Sequence, residues 1–142
     1  MDEAAAGTRE RDVAALTDLI AKFTAHIGKR LPTDVTARLG ELREKEVNFL
    51  AKEVYESMRQ NQEAADRLDR PSCQDTGVIQ YFLTAGAKFP LLGELESVLQ
   101  EATARATKEG PLRHNAVETF DEKNTGTNTG SRIPWLDWEI VP

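Results

Sequence analysis

Val13, Leu16, Ile20, Phe23 and Ile27 recur at spacings of three and four residues. That spacing lays one apolar stripe along a helix from about Arg9 to Gly28, where the glycine supplies the stop. Leu31-Pro32-Thr33-Asp34 opens the next element, with Pro32 blocking continuation of the first helix and Thr33 placed as N-cap. Two antiparallel helices are the simplest consequence. From Val35 the pattern is helical through Leu39 and Leu42, weakens at Gly40, and resumes as Val47, Leu50, Val54 and Met58 as far as about Leu68, before Pro71 ends it. Such stripes predict core packing or a partner helix, and the charged face from Glu41 to Glu46 predicts solvated surface. His26, near the end of the first helix, reads as a packing or capping residue.

Beyond Gly77 the period changes. Val78-Ile79-Gln80-Tyr81-Phe82-Leu83-Thr84 is β-branched and aromatic and lies between Gly77 and Gly86, hence a strand with Ile79, Tyr81 and Leu83 on one face. Leu92, Leu95, Leu99, Ala102 and Ala106 restore the helical spacing, predicting a third helix from near Leu91 to Lys108 that stops at Gly110-Pro111. Residues 110–132 have little periodicity, and loops of that length are uncommon unless functional or disordered. Trp135 to Val141 then alternates as a strand with Leu136, Trp138 and Ile140 on one face. The fold class is α+β: amino-terminal helices, then a strand-helix-loop-strand unit with an incomplete sheet at the carboxy terminus. A sheet-forming strand with nothing after it suggests missing sequence.

Composition narrows the setting. At 142 residues, 39% hydrophobic and 30% charged, the chain has the make-up of one soluble domain, and no apolar run approaches the roughly 18 residues a membrane helix needs. The acidic start, Met1 to Gly7, lacks the basic region and apolar core of a secretory signal, so the expected compartment is the cytoplasm. A net charge of −6 argues against nucleic acid as a partner. An anionic ligand would need local cations, and Arg70, Lys88, Arg113 and Arg132 lie near turns.

The stretch with most chemical promise is Arg70-Pro71-Ser72-Cys73-Gln74-Asp75-Thr76-Gly77, which sets the only cysteine between a helix breaker and a turn glycine. A single thiol forms no internal disulfide, which agrees with a reducing compartment. Cys73 reads first as a structural or buried thiol, and otherwise as a metal or cluster ligand or a nucleophile; the last needs a base in reach, and the only histidines, His26 and His114, are distant in sequence. Asp75-Thr76-Gly77 has the wording of an aspartic protease loop, but a helix precedes it where that β-rich site has an apolar strand, so a turn is the better reading. Arg113 beside His114 reads either as a surface arginine or as a fork that binds a carboxylate bidentately. Asn124-Thr125-Gly126 and Asn128-Thr129-Gly130 read as glycine turns or as backbone N–H concavities for an anion.

The octet, then Phe89-Pro90-Leu91-Leu92-Gly93, Pro111-Leu112-Arg113-His114-Asn115-Ala116-Val117, Asn124 to Gly130 and Ile133-Pro134-Trp135 resemble, in order and spacing, the iron–sulfur class I fumarase and L(+)-tartrate dehydratase family, in its alpha-subunit form. The likeness runs from about Arg70 to Pro142, more loosely over the helices before it, and the Leu112-Arg113-His114-Asn115 wording leans toward tartrate dehydratase. It implies a hydro-lyase that converts L(+)-tartrate to oxaloacetate, with fumarate and malate as the alternative substrates. In that family three cysteines hold a 4Fe-4S cluster whose open iron acts as a Lewis acid on the hydroxyl. The resemblance implies Cys73 as the first cluster ligand and Gln74, Asp75 and Arg113 as contacts to the hydroxy-dicarboxylic acid, with Asp75 the catalytic candidate. It also implies a beta subunit, in a heterotetramer of two alpha and two beta chains.

One departure matters. The other two cluster cysteines of the family lie downstream, and one thiolate cannot hold such a cluster. Residues 1–142 are therefore expected to be the amino-terminal part of a larger catalytic domain, inactive alone. The rival of another class is a non-catalytic remnant that serves only subunit association.

Overall fold

The computed structural model describes residues 3–73, 77–110 and 112–142. Three helices come first: α1 (Glu3–Ile27), α2 (Thr33–Lys45) and α3 (Phe49–Leu68). Then follow β1 (Gln80–Gly86), a 3-10 turn (Leu92–Glu94), α4 (Leu95–Glu109) and β2 (Trp135–Val141). The α+β expectation is borne out, with the helices ahead of a sheet of two strands.

The core is built on α4, whose Leu95, Val98, Leu99, Ala102, Thr103, Ala106 and Thr107 are all buried. Val98 and Leu99 are each 1% exposed, and burial on that scale stabilises by about 1.5–3 kcal/mol per side chain. α1 packs along α4 and contributes Thr17, Ala21 and Thr24, the residues of its inner face that are fully buried. The expected stripe is therefore rotated: Val13, Leu16 and Ile20 are half-buried, but Phe23 and Ile27 are exposed. Small side chains set this contact because they let the two helix backbones come close. At the end of α4 the approach is tightest: a Cβ on Gly110 would overlap Ala25 Cβ and stand 2.7 Å from the Ala106 carbonyl oxygen.

The helix hairpin differs from the expectation in partner, break and cap. α1 lies against α4, whereas α2 packs on α3. The apolar pattern from Val35 to Leu68 is interrupted at residues 46–48 rather than at Gly40. Glu46 turns extended (ψ 137°), and its carboxylate accepts the Val47 and Asn48 amides at 2.8 and 2.9 Å. Asn48 then caps α3, its Oδ1 accepting the Leu50 and Ala51 amides. A local carboxylate and carboxamide thus offer the backbone better partners than a continuous helix would. Pro32, not Thr33, holds the cap position of α2, and it has no side chain with which to cap. His26 is exposed, so the packing reading does not hold for it. The stripe Val47, Leu50, Val54 and Met58 faces outward, 92, 72, 54 and 48% exposed.

β1 begins two residues later than expected, while β2 matches its expected span. The strands pair in parallel, Gln80 opposite Trp135 through Gly86 opposite Val141. A parallel pair needs a long crossover, and α4 with the segment after it provides one. Tyr81 points from β1 between the two core helices: its hydroxyl lies 3.0 Å from Thr24 Oγ1 and 3.2 Å from Thr103 Oγ1.

Two outcomes follow from this packing. Gly110→Ala should lower stability by about 1–3 kcal/mol through overpacking, read as a fall in the thermal midpoint with the helical circular dichroism retained at low temperature. In the hairpin, hydrogen bonds from Arg59 and then Gln60, with Arg43 across from α2, draw the Glu56 carboxyl from 4.5 down to about 2. A depressed carboxylate stabilises the folded state above its unfolded pKa and loses that contribution as pH falls through its folded value. The Glu56 contacts, chiefly those to Arg59 and Gln60 within α3 and less that to Arg43 of α2, should therefore weaken between about pH 4.5 and pH 2; a carboxyl NMR titration of Glu56 with its midpoint near 4.5 would count against it.

Candidate functional site

α3 ends at Leu68 with Asp69 in the left-handed conformation (φ 49°), its amide and that of Arg70 both turned back to the Ala65 carbonyl. Lys29 pairs with the Asp69 carboxylate at 2.5 Å and holds its pKa below the usual value; Arg30 pairs with Asp66 at 2.6 Å. These pairs clamp the end of α1 to the end of α3. The Ser72 amide then donates to the Gly28 carbonyl at 3.1 Å, and the Cys73 amide to Asn61 Oδ1 at 3.0 Å. The main chain leading to the thiol is held on both sides, while Cys73 itself is exposed. Gln74 and Asp75, expected as substrate contacts, lie outside the described residues.

The chain is described again from Gly77, and here the segment after α4 returns to it. Asn115 Nδ2 donates to the Gly77 carbonyl at 3.1 Å. Between them lies a cleft of about 200 Å³, with Gly77, Val78 and Ile79 forming one wall. Leu112, Arg113, Asn115 and Asn128 form the other. Arg113 is exposed and lines this cleft, which is bordered by the end of the cysteine loop. Of the four cations noted from the sequence, Arg113 lines this cleft, whereas Arg132 lines a separate one beside Trp135 and Trp138.

The two Asn-Thr-Gly units turn out to brace this segment. Asn124 Oδ1 accepts the Gly126 amide at 2.8 Å, and its Nδ2 donates to the His114 carbonyl at 2.6 Å. Asn128 is buried, with a left-handed backbone (φ 55°). Its Oδ1 accepts the Asn115 amide at 2.7 Å and the Ala116 amide at 3.3 Å. Its Nδ2 donates to the Arg113 carbonyl at 2.7 Å and to Thr107 Oγ1 at 3.2 Å. Of the two readings of these repeats, the turn prevails, but with the asparagine side chains directed inward as struts. The sequence signal was the repeat itself, a pair of asparagines four residues apart, the first just ahead of Gly126 (φ 71°) and the second itself left-handed.

The family model for fumarate hydratase (Fumerase) matches residues 17–142. The chain belongs to the fumarate hydratase family. It is 50% identical over 134 residues to the L(+)-tartrate dehydratase subunit alpha of Escherichia coli, covering 94% of this chain and 44% of that protein. The same-named protein of Shigella sonnei is 49% identical over the same length and coverage. The family resemblance read from the motifs is thus established, and the chain spans less than half the length of these curated relatives. No helix among the described residues is long and apolar enough to cross a membrane.

The resemblance implies an iron–sulfur cluster. An exposed thiol on a tethered backbone suits one iron ligand. The described residues hold no group of three His, Cys, Asp or Glu side chains that could bind a metal ion, and Cys73 is the only cysteine. The donor set of this chain therefore does not fit a whole cluster.

Because Cys73 is exposed while its amide is tied, the native chain should react with one equivalent of a disulfide reagent at close to the rate of the unfolded chain. A lag that disappears only in denaturant would show the thiol to be covered.

Proposed function

We propose that this chain is the amino-terminal part, residues 1–142, of a tartrate dehydratase-type alpha subunit, and that its cleft receives one carboxylate of a hydroxy-dicarboxylic acid. The observation that carries this reading is the return of Arg113 to the end of the cysteine loop, fastened by Asn115 on Gly77. The reaction is the loss of water from L(+)-tartrate: a proton leaves one carbon, hydroxide leaves its neighbour, and the enol so formed tautomerises to oxaloacetate. In it, Arg113 binds a carboxylate through two parallel N–H donors, which orients the reacting carbons. Gln74 and Asp75 are proposed from the resemblance as further substrate contacts, with Asp75 acting in proton transfer.

Cys73 is proposed as one thiolate ligand of a 4Fe-4S cluster whose other ligands come from polypeptide beyond this chain. The names of the relatives, each a subunit alpha, support a beta subunit as partner; an assembly of two alpha and two beta chains is proposed from the resemblance alone. The single unpaired cysteine supports a cytoplasmic setting. Tartrate is preferred to fumarate or malate because the relatives at 50 and 49% identity carry that name.

The purified 142-residue chain, supplied with iron and sulfide under anaerobic conditions, should neither assemble a stoichiometric cluster nor dehydrate tartrate. Unaided turnover would sink the reading of the chain as one part of a site. In an enzyme completed to the relatives' length and joined by a beta subunit, Arg113→Lys should raise KM for tartrate at least about tenfold, because lysine cannot form the bidentate pair. A panel of tartrate, malate and fumarate on that enzyme decides the substrate.

A further inference from the structure

The cleft is bordered by a segment with no regular secondary structure of its own, so something must fix the direction in which Arg113 leaves the backbone. We propose that Asn128 is that positioning residue: one buried carboxamide ties the Arg113 carbonyl and the Asn115 and Ala116 amides to Thr107 of α4. The role in substrate binding rests on the reading of the cleft as a dicarboxylate site, whereas the role in ordering the segment does not.

The carboxamide is well suited to the task. Its oxygen takes two successive amides, at 2.7 and 3.3 Å, and its nitrogen uses both protons, at 2.7 Å on the Arg113 carbonyl and 3.2 Å on Thr107 Oγ1. Two donors and two acceptor positions on one planar group are used at once. The hydroxyl of Thr107 spends its own proton on the Thr103 carbonyl at 2.8 Å, which leaves its oxygen to accept from Asn128. Thr107 is 1% exposed and sits in the packed face of α4. The brace therefore runs from a rigid helix directly to the peptide groups on either side of His114. Asparagine also tolerates φ 55° better than most residues, so it satisfies a backbone and a side-chain requirement together. Aspartate would accept both amides but would turn an unprotonated oxygen toward the Arg113 carbonyl.

The test uses the full 142-residue chain. Asn128→Gly accommodates the left-handed backbone without strain and removes the side chain with its carboxamide. In that variant the helical circular dichroism and the α4 amide protection should match the parent. The Asn115 and Ala116 amides, having lost their acceptor, should exchange about tenfold faster. Titration with L(+)-tartrate, followed at the Arg113 Nε–H resonance, should show about tenfold weaker binding, and Asn128→Asp should recover part of both effects. Unchanged exchange at residues 115 and 116 in a folded Asn128→Gly chain would overturn the proposal, as would a uniform loss of protection that includes α4. If Asn128→Gly does not fold, Thr107→Val cuts the same brace at its helix end: faster exchange at 115 and 116 supports the proposal and unchanged exchange overturns it. A parent chain whose Arg113 resonance ignores tartrate rejects the dicarboxylate reading of the cleft, while the exchange rates still decide whether Asn128 orders the segment.

Discussion

Two threonines one turn apart on α4, Thr103 and Thr107, anchor most of what surrounds them. Each donates its hydroxyl proton to the carbonyl four residues back, at 2.7 and 2.8 Å, which leaves each oxygen as an acceptor. The Tyr81 hydroxyl of β1 therefore donates to Thr103, and Thr24 of α1 in turn donates to Tyr81. The Asn128 carboxamide of the cleft segment uses Thr107. A buried hydroxyl left unpaired costs about 1–3 kcal/mol, so the α1–α4 contact, the sheet and the cleft wall are held to one register by the need to complete these pairs. Small neighbours such as Ala21, Ala102 and Ala106, all within 3% of full burial, let the helices approach closely enough for the pairs to form.

The cleft lies at an unusual place for a parallel pair. Ligands of open α/β sheets generally sit beyond the carboxyl ends of the strands, but Gly77, Val78 and Ile79 precede β1 and mark its amino-terminal approach. What brings the segment after α4 to that end is the crossover, which must carry the chain back to start β2 beside β1. The Trp135 amide donating to the Ile79 carbonyl at 3.0 Å marks where the two approaches meet. The site is a by-product of parallel pairing, and its depth is set by how the 112–128 segment is braced on α4.

The apolar surface of the chain is uneven. Phe82 on the outer sheet face is 74% exposed and Trp135 50%, and the α3 stripe is open to solvent. Parallel sheets are ordinarily covered on both faces, and apolar stripes of this kind ordinarily mark contacts. Of the two readings of the α3 stripe, core packing does not hold in this chain, where the stripe faces away from the core while α1 packs along α4.

Residue order alone determined a good deal. The helices, β2 and the stop at Gly110 were legible because apolar spacing and punctuating residues act locally, and the motifs from Arg70 to Trp135 carried the family. The break at residues 46–48 was less visible, since it depends on Glu46 and Asn48 turning onto nearby amides, a choice that apolar spacing does not record. Tertiary structure decided which helix is the core partner of α1, because small residues such as Ala21 and Ala25 count for little in hydrophobicity but govern how closely backbones can approach. It also decided that Arg113 faces the chain at Gly77 and that Asn128 is a strut. Those roles depend on pairing groups far apart in sequence, Asn115 with Gly77 and Asn128 with Thr107, and hydrogen-bond partners at that range are fixed by folding and not by spacing.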